Sequence, residues 1–295
     1  MSGAAGARAR ARAPEPTGTR RPRTAMTAEA MGTVLSVHVL PRTHAGADAA
    51  VSRACAAFLE RVRADERKFS TFIADSTVSR IRRGELLIDA DAEVAEVAAA
   101  CARIGSRSGG RFSAQWRGGF DPTGYVKGWS VERAAAACLA PLLDADVDAV
   151  AVNAGGDVRV FTAERSDWVW SIGIADPLDR GAVLARVGLR NGAVASSGRA
   201  ERGGHLVDPR SGRTAEAVGA SVVAADLAVA DAWATVAAVS GCADLSWIGA
   251  APETNGLVVG ADGRVRRWSA GVEIGASDAD ALALIGTGRA HPDRR

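Results

Sequence analysis

Four segments of this chain hold polar side chains at spacings that could do chemistry. In FDPTGYVKGWSVE (120–132) a short polar turn opens a helix expected to run from about Val126 to Leu143. Free backbone N–H groups at such an opening attract anions. Lys127 falls in the expected first turn, where its charge opposes the helix dipole unless an anion arrives. Among the 36 basic residues only Lys68 and Lys127 are lysines, so this position departs from the chain's habitual arginine. The alternative is a solvated surface lysine.

The loop SSGRAERGGHLVDPRSG (196–212) sets His205 three residues before Asp208, beside Ser196 and Ser197. A histidine near a carboxylate can serve as general base toward a hydroxyl; alternatively, His205 ties down its own loop. In VADAWAT (229–235), Asp231 and Thr235 are four apart and share one helix face. Such a pair can ligate a hard cation such as Mg²⁺, with water and phosphate completing the octahedron. An acid in the first turn of a helix is the simpler account of Asp231. NAGGDVRV (153–160) places two glycines and Asp157 after a strand, which suits close approach of a ligand and equally an ordinary hairpin turn. The phosphate-loop, dinucleotide-fingerprint, nucleophile-elbow and zinc-peptidase motifs are all missing.

The elements that must position these residues follow from periodicity. Strands are expected at 31–40, 149–161 (broken at Gly155–Gly156), 168–177, up to 198, 220–225, 256–260 and 264–269. Helices are expected at 47–67, 90–105, 126–143 and 227–240, the last closed by Gly241. Without regular alternation of the two, the class is α+β, with mixed sheets and packed helices.

With 295 residues, 47% apolar and 24% charged, the chain can bury a large core. No run of roughly 18 apolar residues occurs, so no membrane span is expected. Six arginines against Glu15 in the first 25 residues mark a basic tail. Its Ala, Gly, Pro and Arg give it nothing to bury, so disorder is expected over 1–26, one domain over 27–272 and a second tail over 273–295. A nucleic-acid arm is the other reading of the tail, and no nucleic-acid partner is expected. Arg20–Arg21 lacks the apolar stretch of an export signal, which points to the cytoplasm. The four cysteines are scattered, without metal or disulfide spacing.

Taken in order, seven segments resemble the ApbE family of FAD:protein FMN transferases. They are MGT (31–33), FSTFIADSTVSRI (69–81), SGGRF (108–112), DPTGYVKGWSVERA (121–134), NAGGDVRV, SSGRAERGGHLVDPRSGR (196–213) and ADAWATVAAVSG (230–241). The resemblance implies a T-fold-related architecture and a reaction in which Mg²⁺ assists transfer of FMN from FAD to a Ser or Thr hydroxyl of an acceptor protein, with AMP leaving. It implies that Met31, Phe72, Phe112, Ser113, Asp121 and Lys127 contact FAD. Asp231 and Thr235, with the backbone at Gly124, would hold Mg²⁺, and His205, oriented by Asp208, would take the hydroxyl proton. The acceptor would carry an element resembling D-x-x-[ST]-G-A-T. Phe72 stands where the family often has tyrosine, and the insert many members carry before Asp121 is missing, so this is a short form. Many members begin as exported lipoproteins; no apolar leader is present here. An FAD pyrophosphatase and a non-catalytic FAD carrier are the alternatives. The enzyme readings require the lysine turn, the histidine loop and the Asp/Thr helix to meet around one pyrophosphate.

Overall fold

Strict alternation of buried side chains builds the central layer of this protein. The computed structural model describes residues 22–42, 48–116, 118–144, 146–179, 181–198 and 206–275. His205, the bulk of the Arg-rich tail and most of the C-terminal tail lie outside them. Nine strands pair antiparallel in the order β1 (Arg23–Ala30), β2 (Thr33–Pro41), β5 (Val147–Ala154), β6 (Asp157–Thr162), β9 (Gly192–Ser197), β10 (Gly219–Ala224), β11 (Asn255–Val259), β12 (Val265–Ser269) and β13 (Val272–Ile274). Two ribbons stand apart, β3 (Gln115–Trp116) with β4 (Gly119–Phe120), and β7 (Trp170–Ala175) with β8 (Val183–Leu189).

Side chains of successive strand residues point to opposite faces. Val150, Val152 and Ala154 of β5, with Ala220, Val222 and Ala224 of β10, therefore face one side, and pack against helices. Those helices are α1 (Asp48–Phe69), α3 (Ala92–Arg107), α4 (Thr123–Cys138) and α5 (Leu227–Ser240), with the short α2 (Thr77–Arg82) beside them. Ala151, Val160, Val194, Val223 and Leu257 face the other side, under Ile174, Val187 and Leu189 of the β7–β8 ribbon. The expected α+β class holds, and every pairing among the described strands is antiparallel.

Helix α5 is apolar almost all round, as befits a helix enclosed by the sheet and α4. Asp226 caps it by accepting from the N–H of Val229 at 3.0 Å. Glu132 of α4 reaches the same end, accepting from the N–H of Leu227 at 2.8 Å and from Arg159 of β6 at 2.9 Å. One carboxylate thus ties two helices and a strand together. At the crossing of α4 and α5, a Cβ added to Gly128 would lie 2.9 Å from the Leu227 carbonyl oxygen and 3.0 Å from Asp231 Cβ.

Some expected boundaries shift. Strand β1 starts at Arg23, before the expected domain start at 27, where Arg23 pairs with Asp48. Helix α4 starts at Thr123 because Asp121 accepts from the Thr123 N–H at 3.1 Å and its hydroxyl at 2.7 Å. Strand β13 runs to Ile274, two residues past the expected domain end at 272.

Gly128→Ala tests the helix crossing. Propensity alone favours alanine by about 1 kcal/mol in a helix interior. The backbone clash reverses the sign, and we expect destabilisation on the order of 1–3 kcal/mol in urea unfolding. A gain in stability would remove the close approach of α4 to α5.

Candidate functional site

Lys127 is largely withdrawn from solvent beside two buried carboxylates. Its ammonium donates to Oδ2 of Asp157 and lies 3.5 Å from Oδ2 of Asp231. The side chains of Lys127, Asp157 and Asp231 are 13%, 1% and 6% exposed. Burying such charges is tolerated only when they are paired. Each residue comes from a different element: the second turn of α4, the start of β6, and the second turn of α5.

Two sequence expectations change here. Lys127 lies beyond the free N–H groups of α4, because the helix opens at Thr123, and its charge answers Asp157 and Asp231 rather than standing unopposed or solvated. Asp231 is likewise past the first turn of α5, where proximity to the helix dipole no longer accounts for an acid. Asp157, which the sequence offers as a hairpin residue or a point of ligand approach, is the lysine's partner. Its hairpin setting is real, with Gly155 and Gly156 at φ 63° and 101°, and that setting hid its partnership with a lysine thirty residues earlier.

The other expected residues fall on the surrounding turns and helices as follows. Met31 and Gly32 form the β1–β2 turn with φ of 53° and 66°. A positive φ is uncommon for a non-glycine residue. That turn adjoins the β5–β6 turn, since Gly155 N–H donates to the Val34 carbonyl at 3.0 Å and Thr33 occupies the space a Gly155 side chain would need. Thr235 is partly buried one helical turn after Asp231. Gly124 lies in the first turn of α4, where an added Cβ would sit 3.3 Å from the Phe112 ring. Ser113 accepts from the N–H of Gln115 at 3.1 Å.

Phe112 and Ser113 line a cleft of about 300 Å³ together with Cys101, Gly105, Pro209 and Arg210. The end of the 196–212 loop therefore borders the Phe112 segment, and its start is fixed at the trio, where Ser196 N–H donates to Asp157 Oδ1 at 3.0 Å. His205 itself lies outside the described residues. Asp208 is engaged by Arg210, which donates from Nε and Nη2 at 2.9 Å to each oxygen. That guanidinium holds the carboxyl of Asp208 below its ordinary range. Phe72 is 94% exposed on the loop before α2, the most exposed large apolar side chain among the described residues. Its neighbour α2 brings Arg82 within 4.0 Å of Asp121.

Among the described residues no three His, Cys, Asp or Glu side chains cluster as a metal cage. Mg²⁺ does not require one, because it commonly takes one or two carboxylates and fills its octahedron with water and phosphate. Among the described residues no helix is long and apolar enough to cross a membrane.

The fold and this trio define an α+β protein whose polar centre lies between two helices and a hairpin turn. The chain belongs to the ApbE family: the family model matches residues 31–118 and 117–256. The two matched segments overlap at residues 117–118, between SGGRF and Asp121. No curated protein matches the chain. Among solved structures it is similar to the ApbE protein of Thermotoga maritima, at 21% identity and TM-score 0.68 over 84% of this chain and 97% of that one. It is similar to the flavin transferase ApbE of Vibrio cholerae, at 16% identity and TM-score 0.63 over 84% and 97%. The apo flavinyl transferase ApbE of Pseudomonas stutzeri shares 18% identity and TM-score 0.61 over 92% and 100%.

Tyr125, the chain's single tyrosine, reports on this turn. Burial, then the negative charge of Asp226, pushes its phenol up to about 12. In the unfolded chain the phenol ionises near its ordinary value of 10.0, so the unfolded state loses its proton first. Stability then falls as pH rises from 10 toward 12. An absorbance titration of phenolate should give a midpoint near 12 for the folded protein, returning toward 10 in denaturant.

Proposed function

We propose that this chain transfers FMN from FAD to a serine or threonine hydroxyl of an acceptor protein, releasing AMP with the help of Mg²⁺. The observation that carries the reading is Lys127, largely withdrawn from solvent between Asp157 and Asp231, in a member of the ApbE family. One ammonium against two carboxylates leaves the trio formally at −1. Such a centre repels a pyrophosphate unless a further cation arrives with it. The lysine's approach to Asp231 supports the fit, since a cation already stands within 3.5 Å of that carboxylate.

Asp231, Thr235 and the backbone at Gly124 would hold the divalent ion, which supplies charge neutralisation to the pyrophosphate when bound. Lys127 binds phosphate oxygens as negative charge grows in the transition state. Met31, Phe72, Phe112, Ser113 and Asp121 would contact FAD, and the exposure of Phe72 leaves its ring free to stack on a flat ligand. The acceptor hydroxyl attacks the FMN phosphorus. Its proton passes to His205, oriented by Asp208, as the bond to the AMP phosphate breaks and AMP leaves with that electron pair. The acceptor would present an element resembling D-x-x-[ST]-G-A-T, and the reaction belongs in the cytoplasm.

Mixing the protein with FAD, Mg²⁺ and an acceptor of that type should yield covalent flavin fluorescence on a denaturing gel, with one AMP per flavin attached. AMP without an acceptor would show hydrolysis instead, and bound FAD with no AMP at all would show a carrier. Asp231→Ala should slow transfer at least ~100-fold. An unaltered rate would strip Asp231 of its metal role.

A further inference from the structure

We propose that Asp157 is a positioning residue: it holds Lys127 away from Asp231 and locks the lysine to strand β9. The inference rests on the functional reading above for what Lys127 and Asp231 bind. The geometry of Asp157 is independent of it.

Both oxygens of this carboxylate are engaged. Oδ2 accepts from Lys127, and Oδ1 accepts from the Ser196 N–H at 3.0 Å. The backbone ladder between β6 and β9 starts at the pair Val158–Val194, so the Asp157 side chain supplies an acceptor to Ser196 just beyond it. One donor is fixed by a strand and the other by a helix, and the carboxylate between them is 1% exposed. It has almost no freedom to follow the lysine elsewhere.

The consequence is a division of labour between two acids. Lys127 could pair equally with either, and the more closely it pairs with Asp231, the less of that carboxylate is open to a metal ion. Its closer partner is Asp157, with Asp231 at the longer 3.5 Å. An asparagine at 157 keeps an oxygen for the Ser196 N–H but turns an amide N–H₂ toward the ammonium. Donor then faces donor, and the lysine swings onto Asp231. The effect is felt at the metal ligand although Asp157 does not touch the metal.

The test compares the full chain, Asp157→Asn, Lys127→Met and the double variant, using Mn²⁺ as a spectroscopic probe without nucleotide, and kcat and KM for flavin transfer. Asp157→Asn should weaken Mn²⁺ binding and lower kcat, each by about 10–100-fold as outer-shell changes do. KM for FAD should change by less than about threefold, since Lys127 remains near the phosphates. In the Lys127→Met background the same asparagine should leave Mn²⁺ affinity nearly unchanged, because no ammonium remains to swing. A merely structural aspartate would instead cost the same in both backgrounds, and that additivity overturns the proposal. So does an Asp157→Asn protein with wild-type Mn²⁺ affinity and kcat. A wild-type chain that transfers no flavin overturns the functional reading alone, and the Mn²⁺ arm still decides the positioning role. Should Asp157→Asn not fold, Asp157→Glu moves the carboxylate by one methylene, and a wild-type Mn²⁺ affinity there also overturns the role.

Discussion

The structure depends on a lysine that cannot be buried alone. Taking an ammonium out of water costs several kcal/mol even after relaxation, and only close opposite charge offsets it. Lys127 obtains that charge from two elements distant in sequence, the β5–β6 turn and α5. The dependence is mutual, since Asp157 and Asp231 would otherwise be uncompensated carboxylates in an apolar layer. Any conformation that separates α4 from either partner strands at least one charge. Specificity of packing at this point therefore comes from electrostatics rather than from volume.

Small residues make that meeting possible. Helix α5 reads LAVADAWATVAAVS, with alanine at half of its buried positions. Alanine contributes little volume to a core but lets backbones approach, and Gly128 of α4 carries the approach to its limit. The lost volume is recovered a turn away, where Trp233 stacks on Trp247 at 5.4 Å and Trp247 meets Trp268 edge-on at 5.1 Å. The aromatic packing of Trp233 and the ion trio at Asp231, two residues apart on different faces of α5, together fix the rotation of the helix. With that rotation fixed, Asp231 and Thr235 share one face of α5 a turn apart.

Much of this was legible in the sequence, and the failures have physical causes. Helix α5 was readable to the residue, because Gly241 closes a long apolar run. The β5–β6 hairpin was readable from its glycine pair. Strand β1, RTAMTAEA, was not: it is an edge strand with one buried residue, so no alternation marks it. The ribbon strand β8 failed likewise, since exposed Val183 and half-buried Ala185 and Gly188 blur any polar–apolar alternation. In the site, Lys127 and Asp231 stood out by type and spacing. Asp157 is ambiguous in the sequence, because nothing local distinguishes an aspartate that ends a turn from one that binds a distant ammonium.

The sheet also separates two kinds of chemistry along a single strand. Residues of β9 alternate between the helix face, with Ala193 and Ala195, and the ribbon face, with Val194. Ser196 follows on the ribbon side, and its hydroxyl pairs with that of Ser221 at 2.8 Å. Its N–H, lying in the plane of the sheet, is free to serve Asp157 at the strand's edge. The residue thus satisfies its side chain on one face and anchors the charged trio through its backbone. A backbone donor has no rotamers to lose, so it holds a carboxylate with less entropy cost than a side chain would. That economy matters where the same carboxylate must also hold a flexible lysine, whose four-carbon stem would otherwise sample either acid.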